Sequence, residues 1–110
     1  ATLGVSDIER SRTLYREIFG LEKVFENGSP VGFMILKKDE AELHLTLQKG
    51  YRAPPFNQAH IMVSDADAAC RACERHGLRI VKRLQNKDYG LRAFVFADPD
   101  GNRIDVAEEI

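Results

Sequence analysis

Two hydrophobic rhythms alternate along the chain. Ile8, Leu14, Tyr15 and Ile18 recur at helical spacing, with Glu9, Arg10, Arg12 and Arg16 on the opposite side, which predicts an amphipathic helix over about residues 8–19. A second helical stretch, about residues 66–75, gathers Ala66, Ala69, Cys70 and Cys73 on one face. Side chains that small allow a helix to lie close on a sheet. Around both stretches the rhythm changes to a strand-like one. Residues 1–5 precede the first helix and 23–26 follow it; 31–37 and 41–48 then flank a Lys38-Asp39-Glu40 turn. The second half repeats the order with 60–63, 79–83, 91–97 and 102–108, the last two joined by Asp98-Pro99-Asp100-Gly101, a turn written in Pro and Gly.

The repetition extends to single residues. Val5-Ser6-Asp7 returns 58 residues later as Val63-Ser64-Asp65, and each helix ends at a Gly-Leu pair, Gly20-Leu21 and Gly77-Leu78. Asp at a helix start accepts hydrogen bonds from the free N–H groups of the first turn. Gly just past the end supplies the left-handed backbone that stops a helix. The expectation is an α+β fold of two tandem β-α-β-β-β modules, with curved, mainly antiparallel sheets and the helices on their outer face. Module one covers about residues 1–48, a linker carrying Gly50, Pro54 and Pro55 covers 49–57, and module two covers 58–110, all within one domain.

Alternation also assigns faces, because successive strand side chains point to opposite sides. In the fourth strand Leu43, Leu45 and Leu47 form the apolar set that packs under the helices; Glu42, His44, Thr46 and Gln48 point away. In the last strand Ile104 and Val106 point inward, and Arg103, Asp105 and Ala107 outward. Closing each hairpin at its turn sets Phe33 opposite His44, Ile35 opposite Glu42, Phe94 opposite Asp105 and Phe96 opposite Arg103. On this reading the face away from the helices carries Phe33, Ile35, Arg92, Phe94 and Phe96 interleaved with His44, Gln58, His60 and Asp105. Aromatic rings mixed with a few polar groups suit a ligand pocket. Burial of the same rings against a second subunit is the other reading of this face.

Composition narrows the function classes. The formal net charge of −1 over 110 residues leaves no global field to recruit nucleic acid or an anionic membrane, and the local run of Arg71, Arg75, Arg79, Lys82, Arg83 and Lys87 reads as a solvated face. No apolar stretch approaches the about 20 residues a membrane helix needs. The chain shows no basic-then-apolar leader. Two cysteines make no disulfide framework, so a reducing cytoplasm is expected. Cys70 and Cys73 have redox-motif spacing but sit inside a helix, away from the N-terminus that would stabilise a thiolate, and read as structural.

The opening run 5–22, Val-Ser-Asp-Ile-Glu-Arg-Ser-Arg-Thr-Leu-Tyr-Arg-Glu-Ile-Phe-Gly-Leu-Glu, resembles the start of proteins of the glyoxalase/bleomycin-resistance/dioxygenase (vicinal oxygen chelate) superfamily. Asp98-Pro99-Asp100-Gly101-Asn102-Arg103-Ile104-Asp105 is similar to its closing segment, and Asp88-Tyr89-Gly90-Leu91-Arg92-Ala93-Phe94 to a segment of bleomycin-resistance-type members. The resemblance implies four metal-ligand positions, of which the second, third and fourth fall on His44, Gln58 and Asp105 and the first immediately upstream of Ala1. His44 and Asp105 both depart from the usual Glu. The leading expectation is therefore a non-enzymatic binder without a cofactor that sequesters a flat, apolar small molecule, as in antibiotic resistance. Its ligand-binding residues would be Phe33, His44, His60, Tyr89, Arg92, Phe94, Phe96 and Asp105, in a cup associated with a homodimer. The rivals are a metal-dependent lyase or dioxygenase using divalent Zn, Ni, Fe or Mn, and a regulatory domain that uses the cup to dimerise.

Overall fold

Asp7 and Asp65 each begin a helix in the computed structural model, which describes residues 1–110. Their carboxylates accept from the backbone N–H three residues on, Arg10 and Ala68, at 3.0 Å in both cases. The helices are α1 (Ile8–Phe19) and α2 (Ala66–Arg75); Gly20, with φ 71°, ends the first, and Gly77, with φ 73°, follows the second. Strands β1 (Thr2–Val5), β2 (Glu22–Asn27), β3 (Phe33–Lys38) and β4 (Ala41–Leu47) belong to module one. Module two carries β5 (Asn57–Met62), β6 (Arg79–Asn86), β7 (Leu91–Ala97) and β8 (Arg103–Glu109). The two sheets have the same order, β1-β4-β3-β2 and β5-β8-β7-β6, with the outer β1 and β5 parallel to their neighbours and the remaining pairs antiparallel.

The helices cover one side of each sheet. Leu3, Val5, Met34, Leu36, Leu43 and Leu45 of the first sheet and Ile61, Phe94, Phe96, Ile104 and Val106 of the second meet Leu14, Tyr15, Phe19, Ala69 and Cys73 in a single hydrophobic cluster. Both cysteines are free and buried in α2, and burial pushes the Cys73 thiol up to about 12, so neither is placed as a nucleophile. No helix is long and apolar enough to cross a membrane.

Register is where structure and expectation part. Asp39, at φ 52°, makes a two-residue turn that sets Phe33 opposite Thr46 and Ile35 opposite His44, two residues from the expected pairing. A shift of two keeps every side chain on its face. In the second hairpin Phe94 lies opposite Val106 and Phe96 opposite Ile104, a shift of one. Asn102 is the cause: its N–H donates to the Asp98 carboxylate at 2.9 Å and its carbonyl accepts from the Asp98 N–H at 2.9 Å, so the turn closes over five residues. A shift of one turns a whole strand over. Phe94 and Phe96 therefore leave the open face and enter the core, 1% and 0% exposed.

The same turn joins the modules. Asp98 Oδ2 accepts from the Tyr15 hydroxyl at 2.9 Å and from Asn102 Nδ2 at 3.1 Å; Oδ1 accepts from the N–H groups of Asp100 and Asn102. Asn102 Nδ2 also donates to the Gly4 carbonyl on β1, and the Tyr51 hydroxyl donates to Asn102 Oδ1 at 2.8 Å. Gly4 is required there because a side-chain methyl would overlap the Tyr51 ring. Gly4→Ala is expected to lower stability by about 1–3 kcal/mol through that overlap. Urea denaturation checks the cause: in a Tyr51→Ala background the same substitution should cost almost nothing.

Candidate functional site

The faces away from the helices hold what polar and aromatic chemistry the two sheets expose. On the first sheet, Phe33 and Ile35 of β3 stand beside Glu42, His44 and Thr46 of β4, all exposed or half-buried. The His44 ring meets Phe33 edge-on at 5.6 Å, and Phe33 meets Phe25 of β2 edge-on at 6.2 Å. Offset and edge-on pairs of this kind are favoured by the ring quadrupole. Three rings thus form a row across three strands. Glu42 anchors its end: its Oε2 lies 2.7 Å from His44 Nε2, and that hydrogen bond holds the Glu42 carboxyl below the usual range. Phe25, half exposed, was not expected on this face. A bulge between Lys23 and Phe25 breaks the alternation of β2 and re-aims the ring, and only an aromatic residue amid charged neighbours hinted at it.

The second sheet presents a smaller group. His60 Nδ1 lies 2.7 Å from Asp105 Oδ2 on the neighbouring strand, and His60 Nε2 lies 3.1 Å from Met62 Sδ. Val95 of β7 sits opposite Asp105. Gln58 turns back on its own strand, donating from Nε2 to the Phe56 carbonyl at 3.2 Å.

The other expected site residues lie apart from these groups. Tyr89, 72% exposed, stands in the turn between β6 and β7. Arg92 shares the side of β7 that carries Phe94 and reaches α2: its Nε donates to Asp67 Oδ1 at 2.6 Å and its Nη1 to Asn86 at 2.9 Å. That guanidinium holds the Asp67 carboxyl below the usual range, so Arg92 secures the start of α2. Phe96 packs on Phe19 at 5.8 Å and on Phe94 at 6.3 Å, inside the core. Of the eight expected ligand residues, Phe33, His44, His60 and Asp105 remain on the open faces.

The donor set fits a metal ion poorly within one chain. His44 belongs to the first sheet and is engaged by Glu42; Gln58 and Asp105 belong to the second and are engaged by the Phe56 carbonyl and His60. No three His, Cys, Asp or Glu side chains converge to hold an ion. A groove of about 1140 Å³ lies between the modules and is lined by Ile18, Leu21, Val63, Ala68 and Ala72 among others, with His60 and Met62 also on its wall. From α2 it takes Ala68, Ala69, Ala72 and Arg75. It carries no ring stack, and Glu42 and His44 of the first sheet do not line it.

The fold and sequence are similar to those of known proteins. A member of the Glyoxalase/bleomycin resistance protein/dioxygenase superfamily from Sphaerobacter thermophilus shares 29% identity over 99% of this chain and 94% of its own, with a TM-score of 0.74. The fosfomycin resistance protein FosX from Listeria monocytogenes has the same fold at 14% identity, covering 99% and 89%, with a TM-score of 0.78. A lactoylglutathione lyase from Agrobacterium tumefaciens does so at 24% identity, covering 98% and 90%, with a TM-score of 0.71. The comparison with curated proteins gives no match. The model of the Glyoxalase/Bleomycin resistance protein/Dioxygenase superfamily matches residues 1–106, and with the doubled module just described it places this chain in that superfamily.

Proposed function

We propose that the protein binds a flat, partly apolar small molecule on the open face of the first sheet, without chemical turnover, in the manner of a resistance-type binder. The row Phe25–Phe33–His44 carries this reading. Three rings on a solvent-facing surface contribute nothing to the core, and a flat ligand gains stacking area from them. Glu42 fixes the His44 ring and leaves a carboxylate edge to orient a polar group; His60 and Asp105 offer a second such edge across the molecule. The chain measures 45 × 27 × 24 Å, long and shallow, so one copy leaves the face open. A second copy related by a twofold axis would close it into a cup, and the protein would act as a homodimer. That one superfamily fold serves a fosfomycin resistance protein makes binding of a drug-sized molecule a natural use of it.

The probe is 1-anilinonaphthalene-8-sulfonate, a flat aromatic fluorophore. Phe33→Ala is expected to weaken its binding at least tenfold, about 1.4 kcal/mol, with an unchanged far-ultraviolet circular dichroism spectrum because the ring is outside the core. Phe25→Ala should weaken it less. Equal affinity in wild type and both variants would overturn the reading. So would stoichiometric zinc, nickel, iron or manganese in the purified protein together with a turnover that His44→Ala abolishes; that result would make it a metal-dependent lyase or dioxygenase.

A further inference from the structure

The groove between the modules holds more negative charge than its share of the chain. Six carboxylates line it, those of Glu17, Asp39, Glu40, Asp65, Glu108 and Glu109, against the two cations Lys38 and Arg75, in a molecule whose net charge is −1. Lys38 is engaged elsewhere: its side chain lies over Gly20 at the C-terminal end of α1, where the last helix carbonyls attract a cation. Asp65 and Glu108 accept from the backbone N–H groups of Ala68 and Ala66 at the start of α2, and Glu17 lies 3.7 Å from His76 Nε2. Asp39, Glu40 and Glu109 take part in no ion pair. Charge of one sign in a cleft with apolar walls focuses its field into the cleft.

The walls meet that condition. Ile18, Leu21, Ile61, Val63, Ala69 and Ala72 supply them, around a volume of about 1140 Å³. Pockets for drug-sized molecules run to about 300–1,000 Å³, so the space is ample for one. A ligand matched to both features has an apolar body and a positive charge. An anion with the same body would meet repulsion, and a neutral molecule would gain nothing from the carboxylates. We propose that the groove binds an amphiphilic organic cation, a protonated amine on an apolar body. The unpaired carboxylates attract the ammonium, and the aliphatic walls take the body out of water. The site uses none of the rings of the first sheet, so it stands or falls separately from the reading given above.

The probe is 1-naphthylmethylamine, a cation at neutral pH, and its control is 1-naphthaleneacetate, the same ring system carrying a carboxylate. In the full chain labelled with ¹⁵N, the amine should move the amide resonances of Val63, Ala68 and Ala72 with one-site saturation, and the acetate should bind at least tenfold more weakly. Asp39→Asn, Glu40→Gln and Glu109→Gln combined should weaken the amine at least tenfold. All three positions are exposed, and Asn tolerates the left-handed backbone of Asp39, so the fold should survive. Ala68→Leu places a good helix former at a half-buried position and should weaken the amine as much, by filling the space. Phe33→Ala should leave the amine's affinity unchanged. Circular dichroism checks that each variant is folded. Equal affinity for amine and acetate would overturn the proposal, as would an amine affinity unchanged by the triple neutralisation. Shifts confined to residues 33–46 and abolished by Phe33→Ala would overturn it too, by placing the amine on the first sheet.

Discussion

Phe96→Ala is expected to lower the unfolding free energy by about 3–5 kcal/mol, the range for deleting a fully buried aromatic ring. The ring is wholly shielded from solvent and stacked between Phe19 of α1 and Phe94 of its own strand. Removing it opens a cavity where the helix of module one meets the sheet of module two, and neither neighbour can collapse inward without breaking its own packing. Urea denaturation followed by circular dichroism reads the loss as a lower midpoint with an unchanged slope. The contrast with Phe33→Ala is the sharper observation: the same ring deleted from the open face should leave the midpoint within about 1 kcal/mol of wild type. Equal costs at the two positions would contradict the one-residue register that puts Phe96 opposite Ile104.

Asp98→Ala should come close behind, at about 3–4 kcal/mol, because it strands several buried donors at once. The Tyr15 hydroxyl, the Asn102 side-chain amide and two backbone N–H groups all donate to this one carboxylate. Tyr15→Phe removes one of those bonds and leaves the others, so it should cost only about 1 kcal/mol. In a domain of this size, 3 kcal/mol corresponds to a fall in Tm of roughly 10 °C or more. The effect also has a pH signature. Burial raises the Asp98 carboxyl above its ordinary range, against the pull of its hydrogen bonds. A group raised on folding favours the native state most below its unfolded value, about 4 for Asp, and that advantage is lost as pH rises through the raised native value. The stability gap between wild type and Asp98→Ala should therefore narrow from pH 4 towards neutrality.

How much of this was legible beforehand divides along physical lines. Helix limits were, because Asp7, Asp65, Gly20 and Gly77 act through their own neighbours and the signal is local. The doubled β-α-β-β-β order was legible for the same reason, written twice in one chain. Faces of the first hairpin survived a register shift of two. Those of the second did not survive a shift of one, because Asn102 reads as the first residue of a strand and is in fact held back by the Asp98 carboxylate four residues earlier, a side-chain hydrogen bond that leaves no hydrophobic period. The candidate site inherited that error: Arg92, Phe94 and Phe96 went to the helix side together, while Phe33, His44, His60 and Asp105, assigned by plain alternation, stayed outside. Phe25 was hidden by a bulge. The Asp98–Asn102–Tyr51 network joins residues far apart in the chain and has no signature shorter than the fold itself.

The joint between modules also breaks the symmetry of the repeat. The helices match at the 58-residue distance, so Tyr15 falls on Cys73; the strand pairing matches β3 to β7 at 60, so Asp98 falls on Lys38. Cys73 occupies the same wholly buried helix position as Tyr15, yet its thiol makes no hydrogen bond to a carboxylate, and the strand residue in the place of Asp98 is an exposed lysine. The clasp exists once in a molecule whose architecture has two places for it; the groove opens beside the other. The halves have therefore become lock and key rather than twins. A tandem of two first modules would set Tyr15 against a lysine, and a tandem of two second modules would set Asp98 against a cysteine. Each half of this chain depends on the other being different.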